Sequence, residues 1–176
     1  MKTLPVLLLS LLATSLCAQT APAPQPGSAC GPDTGTYKVK LSDSVTIPAP
    51  PPGMATIVFV EDQVQARPGH APCFGNCSTQ MRLGMDGQWI GVAEGFSHVA
   101  AYITPGDHHF CASADTSAIP SLYGFHVEAG KAYFLQGKLT LDSFRVVPIV
   151  DLSLLNDDEG YYMVAITKQS SFTAKK

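Results

Sequence analysis

Two sulfurs and one imidazole lie close together in the stretch His70-Ala71-Pro72-Cys73-Phe74-Gly75-Asn76-Cys77. Thiolate and imidazole are the usual ligands of tetrahedral zinc, so His70, Cys73 and Cys77 could hold a metal if a strand histidine, His108 or His109, supplied the fourth donor. That chemistry needs reduced thiols. A dithiol redox centre is a second use for Cys73 and Cys77. It wants a thiolate of low pKa at a helix N-terminus with two intervening residues, whereas here three intervene and no helix start follows. The third use is oxidation to disulfides, and the compartment decides between them.

The N-terminus has the anatomy of an export signal. Lys2 supplies a positive charge, residues 4–16 form an apolar core too short to span a bilayer, and small residues end it, placing cleavage after Ala18. Cys17 raises the rival of lipid attachment, but Leu16 is bulky where a lipobox wants a small residue, so soluble export to the periplasm or medium is favoured over an anchor at Cys17. Cleavage leaves Cys30, Cys73, Cys77 and Cys111. An even count in an exported chain reads as two disulfides, and sequence alone allows three pairings. Cys73–Cys77 across a short loop with Cys30–Cys111 is the favoured set. The long closure, about 80 residues, is worth about 4 kcal/mol in the chain-entropy model. We therefore expect no bound metal, with the His70, Cys73, Cys77 and strand-histidine site as the alternative.

Other chemistry is hard to find. There is no Gly-x-Ser-x-Gly elbow, no phosphate-binding glycine loop and no His-Glu-x-x-His. Asp157, Asp158 and Glu159 cluster, but a helix start accounts for them. His98 and His126 read as solvated or structurally bonded, and adjacent His108 and His109 must point to opposite faces of a strand. Trp89, Phe96 and Tyr102 could form an exposed contact patch, although Trp89 reads better as a plug at the end of a sandwich. The net charge of −3 and the lack of a basic patch exclude nucleic acid as a partner. We expect no enzyme activity and no cofactor.

The elements that must position these residues are extended. Residues 81–85 alternate before Asp86-Gly87, a two-residue hairpin dipeptide. Residues 89–92, 97–104 and 108–112 follow, broken at Glu94-Gly95 and at Pro105-Gly106, which has the pattern of a type II turn. This reads as a four-stranded antiparallel meander. Residues 55–60 (ATIVFV) are continuously apolar and β-branched, the mark of a central strand covered on both sides. Tyr37, Val39 and Leu41 alternate with Lys38 and Lys40 in a short strand. Pro48, Pro50, Pro51 and Pro52 make a stiff connector outside the sheet. Residues 122–128, 132–139 and 144–150 are further strands, the last either at an edge or ending early because of Pro148. Asn156 and Glu159 form a capping box ahead of Tyr161, Tyr162, Ala165 and Ile166. The domain organisation expected is a signal peptide at 1–18, a proline-rich arm with one strand at 19–52, a β-sandwich at 53–168 and a disordered tail at 169–176.

Three pieces together carry a resemblance: residues 53–60; Asp86-Gly87-Gln88-Trp89-Ile90-Gly91 followed by Pro105-Gly106-Asp107-His108; and Glu128-Ala129-Gly130-Lys131-Ala132-Tyr133-Phe134. With Asp158-Glu159-Gly160 as a closing element, they resemble a bacterial exported family known only as a domain of unknown function, similar to PEGA-type β-sandwich domains. The resemblance covers residues 53–166. It implies an all-β, antiparallel, Ig-like sandwich with a short C-terminal helix, and it carries over no catalytic residues. The expected role is a non-enzymatic cell-envelope module contacting protein or glycan.

Overall fold

The computed structural model describes residues 30–31, 36–62, 80–114, 120–141 and 148–175. They form two facing sheets and one helix. The strands are β1 (Tyr37–Ser42), β2 (Ala55–Asp62), β3 (Gln80–Met85), β4 (Gln88–Glu94), β5 (Ser97–Ile103), β6 (Gly106–Ala114), β7 (Ser121–Val127), β8 (Ala132–Leu141), β9 (Pro148–Leu155) and β10 (Lys168–Ala174). Helix α1 (Asp157–Ile166) lies between β9 and β10. The large sheet has the order β1-β10-β5-β2-β8-β9 and the small sheet β4-β3-β6-β7. Most pairings are antiparallel; β10 with β5 and β2 with β8 are parallel.

β2 explains the layering. Every residue from Ala55 to Glu61 is buried. Ala55, Ile57 and Phe59 face the small sheet, where Met81, Leu83, Phe110 and Ala112, with Leu135 of β8 in the large sheet, complete the main core. Val58 and Val60 face the other way, into a second cluster with Phe134 and Val164 of α1. A strand apolar on both faces needs a cover on each, and burying each such side chain contributes about 2 kcal/mol. The proline connector serves as part of that outer cover. Ile47 packs against the second cluster and the Thr56 hydroxyl donates to the Pro48 carbonyl at 3.0 Å.

Three expectations need correction. The meander is not one sheet. β3 and β4 form the hairpin, with Asp86 and Gly87 both at positive φ (49° and 85°) as a two-residue type I′ turn requires. The chain then leaves the small sheet. Gly95 and Phe96 also take positive φ (51° and 20°), and this corner delivers β5 to the large sheet beside β2. β6 returns to pair with β3. Gly106 has φ 138°, away from a type II turn, because it already begins β6. Second, residues 169–176 are not a disordered tail: β10 occupies most of them, pairing with β1 from Tyr37↔Ala174 to Ser42↔Gln169. Its apolar content is almost only Phe172, which packs on the main core and meets Tyr37 edge-on at 5.8 Å, so the ladder to β1 supplies what hydrophobic patterning lacks. Third, β1 belongs to the large sheet, so the sandwich begins before residue 53.

The helix start is the capping box expected from Asn156 and Glu159. Asn156 Oδ1 accepts from the Glu159 amide at 2.9 Å, and Glu159 reaches back to the Asn156 amide at 3.4 Å. Gly160 sits inside this helix despite its poor propensity because its α-carbon rests on the Phe134 ring, where any β-carbon would collide. Replacing a helical glycine by alanine ordinarily adds about 1 kcal/mol. Here Gly160→Ala forces α1 off the sheet, and we expect a net loss of about 1–3 kcal/mol, read as a lower urea midpoint; an unchanged or higher midpoint would show that the contact is slack.

Candidate functional site

The sharpest polar arrangement in the described residues joins the β3–β4 turn to the start of β6. His108, on β6, turns inward beside Phe110 and is buried. Its Nδ1 lies 2.6 Å from Asp86 Oδ2, and its Nε2 lies 2.8 Å from the Thr104 carbonyl oxygen. Asp86 Oδ1 also accepts the His109 amide at 2.9 Å. A carbonyl oxygen can only accept, so Nε2 carries a proton. A carboxylate facing Nδ1 favours a proton there too. Burial pushes His108 toward neutrality, but the bonds to Asp86 and Thr104 and the nearby Asp86 and Asp107 charges outweigh it and raise its pKa above 6.5. Desolvation likewise works against Asp86 ionisation, yet the His108 and His109 bonds win and lower its pKa below 3.8.

This pair resembles half of a catalytic constellation, but its chemistry is closed. A general base needs a ring nitrogen within reach of a substrate proton. Both His108 nitrogens are spent on acceptors within the chain. The pair is a charged clamp between two turns. On the opposite face of β6, as adjacent positions require, His109 is exposed, and Asp107 meets His126 of β7 at 2.8 Å in an exposed contact. Among the described residues no group of three or more His, Cys, Asp or Glu side chains could hold a metal ion.

Cys30 and Cys111 form a disulfide, their Cα atoms 5.1 Å apart. Cys111 lies on the outward face of β6, opposite Gly84, yet it is fully buried because the Cys30-Gly31 segment covers it. Trp89 closes the same surface. Its ring presses so closely on Gly31 that no β-carbon fits there, and the Arg82 guanidinium carbon lies 4.9 Å from the ring centre. The patch imagined from Trp89, Phe96 and Tyr102 is therefore not assembled. Trp89 belongs to the small sheet, exposed Phe96 to the crossing corner, and exposed Tyr102 to the outward face of the large sheet. The cause is the sheet switch after β4. Asp157, Asp158 and Glu159 occupy the first turn of α1. Cys17, His70, Cys73 and Cys77 lie outside the described residues, so neither the short disulfide nor the mixed metal site has a geometry to report.

Sequence reasoning missed the Asp86–His108 clamp. Its residues were visible as a turn aspartate and a histidine after Pro105-Gly106, but nothing in their spacing of 22 residues says that the two turns meet. Comparison with protein-family models, with curated proteins and with solved structures finds no match for this chain.

The clamp makes a pH prediction. His108 has a raised folded pKa, so its contribution is complete below about 6.5 and is lost as pH rises through the folded value. Asp86 has a lowered one, so its contribution is present above about 3.8 and is lost as pH falls through the folded value. Asp86→Asn should cost about 1 kcal/mol near pH 5.5, discounted for the partial exposure of Asp86, and less near pH 9. Urea denaturation at both values checks this; an equal loss at each would mean that the bond is not charged.

Proposed function

We propose that this chain is an exported, non-enzymatic cell-envelope β-sandwich module, binding or bracing rather than catalysing. The observation that carries the reading is the Cys30–Cys111 disulfide, which ties the arm behind the export-like N-terminus onto the small sheet. Such a bond persists in oxidising compartments and is rare in reducing ones. Supporting it, no described helix is long and apolar enough to cross a membrane. Among the described residues, the His108–Asp86 pair spends both imidazole nitrogens on the fold. The resemblance of residues 53–166 to an exported PEGA-like family of undefined role points the same way. Contacts to envelope protein or glycan would fall on sheet edges and turns, or on the solvent side of α1, where Tyr161, Tyr162 and Ile166 are exposed.

The test is intact-mass analysis of protein secreted into a bacterial periplasm, alkylated with and without prior reduction, together with elemental analysis. We expect cleavage after Ala18 and no alkylation of Cys30 or Cys111 until the protein is reduced. Free thiols at those two positions in the exported protein would overturn the reading. A stoichiometric metal would replace it with the site at His70, Cys73, Cys77 and a strand histidine.

A further inference from the structure

The large sheet has a weak joint. β5 holds β10 through only two register pairs, Lys168↔Ser97 and Gln169↔His98, and β1 pairs in the sheet with β10 alone. Thus β1 and β10 form a two-stranded ribbon hung on the rest of the sheet. Besides those pairs, the Lys168 amide reaches the Phe96 carbonyl at 3.4 Å, and the small sheet holds the ribbon through Phe172 in the main core and Gln80 Nε2 donating to the Tyr37 carbonyl at 3.3 Å. The joint is lined with buried polar groups rather than apolar ones: Ser97, His98, Thr167 and Ser170. The Ser170 hydroxyl is buried with no hydrogen-bond partner among the described residues.

His98 sits at the centre, 1 % exposed. Its tautomer follows from its neighbour. The single Thr167 hydroxyl proton goes to the Met163 carbonyl at 2.7 Å, so Thr167 Oγ1 must accept from His98 Nδ1, 2.9 Å away. Thr167 thus fixes a proton on Nδ1, and burial favours the neutral ring, with a bare lone pair on Nε2. That nitrogen is buried and has no partner among the described residues. A proton added there would be an uncompensated charge in the interior, a state that the fold can relieve only by opening.

We propose that His98 is an acid-sensitive latch: protonation at Nε2 opens the joint between β5 and β10 and releases the β1–β10 ribbon from the large sheet. No described group bonds Nε2 to offset the charge, and the buried Glu61 of β2, next to Val60, alternates to the other face of the strand. From α1 it meets Thr167 and, through it, the Met163 carbonyl. From β10 come Gln169 and Lys168, whose ammonium lies 3.5 Å from Asp43. From β2 comes Val60, with Asp62 two residues on; Asp62 already accepts from Gln136 of β8 at 3.1 Å and lies 3.9 Å from Lys138. None of these bonds Nε2.

Burial lowers the His98 pKa below 6.5. In the open ribbon the ring is solvated and takes its proton at about the ordinary value. Opening therefore becomes up to about tenfold easier for each pH unit below 6.5, until the closed form is protonated too. His108 titrates in the opposite sense, already charged in the closed protein below 6.5, and so does not drive this opening.

The test is hydrogen exchange read as protection factors, which removes the intrinsic pH dependence. Between about pH 7 and about pH 5, amides of β1 and β10 should lose about tenfold in protection while those of β2 and β8 hold. His98→Asn, whose amide can still donate to Thr167 but cannot titrate, should abolish the loss. Unchanged protection in the native protein, or the same loss in the variant, overturns the latch. If the variant does not fold, the imidazole nitrogens of the native protein are followed by NMR. His98 Nε2 gaining its proton together with β10 opening supports the latch, and β10 opening with Nε2 still bare rejects it.

Discussion

The structure depends on one constraint: a strand with apolar side chains on both faces cannot be left half covered. β2 alternates Ala55, Ile57 and Phe59 with Val58 and Val60, and all are buried. The small sheet answers the first set; α1 and the residues around Ile47 answer the second. Gly160 is the local cost of that cover. Only a residue without a side chain lets the helix axis come down onto Phe134, so a weak helix former is held by packing against its propensity. The parallel pairing of β2 with β8 is the usual company of such a strand, buried on both sides.

What could be read from the chain, and what could not, follows from the range of the interactions. Local grammar was legible: the type I′ dipeptide at Asp86-Gly87, the Asn156–Glu159 capping box, the central character of ATIVFV and the edge position imposed by Pro148 all came through. Each is decided within a few residues. Sheet membership was not legible. β4 and β5 look like neighbours in a meander because their patterns are the same, and only two left-handed residues at the corner send them to different layers. β10 was missed for another reason: KQSSFTA carries one large apolar residue, and its partner, β1, lies more than a hundred residues away. Of the site, the disulfide partners could be named as candidates. The meeting of Asp86 with His108, and of His98 with Thr167, could not, because both need the tertiary fold.

The histidines divide by what their second nitrogen meets. His108 has an acceptor at each nitrogen and is stabilised as a cation. His98 has a hydroxyl at one nitrogen and no partner among the described residues at the other, and is stabilised neutral. Both stand where one element joins another: a hairpin turn against a sheet crossing in one case, a helix end against a strand in the other. The same side chain thus sets opposite preferences for charge at two joints, by geometry rather than by residue type.

The pairing of β1 with β10 has a mechanical corollary. Tyr37 lies opposite Ala174, and the Lys175 amide donates to the Thr36 carbonyl at 2.8 Å, so the chain enters and leaves the sandwich at one corner. A load on the C-terminal end would strain the rungs of this ladder one after another, as in opening a zipper, whereas a load on the N-terminal end passes through the Cys30–Cys111 bond into β6. A domain wired in this way yields first along β10 at its margin, while the sulfur bridge hands the pull from the other end straight to the small sheet.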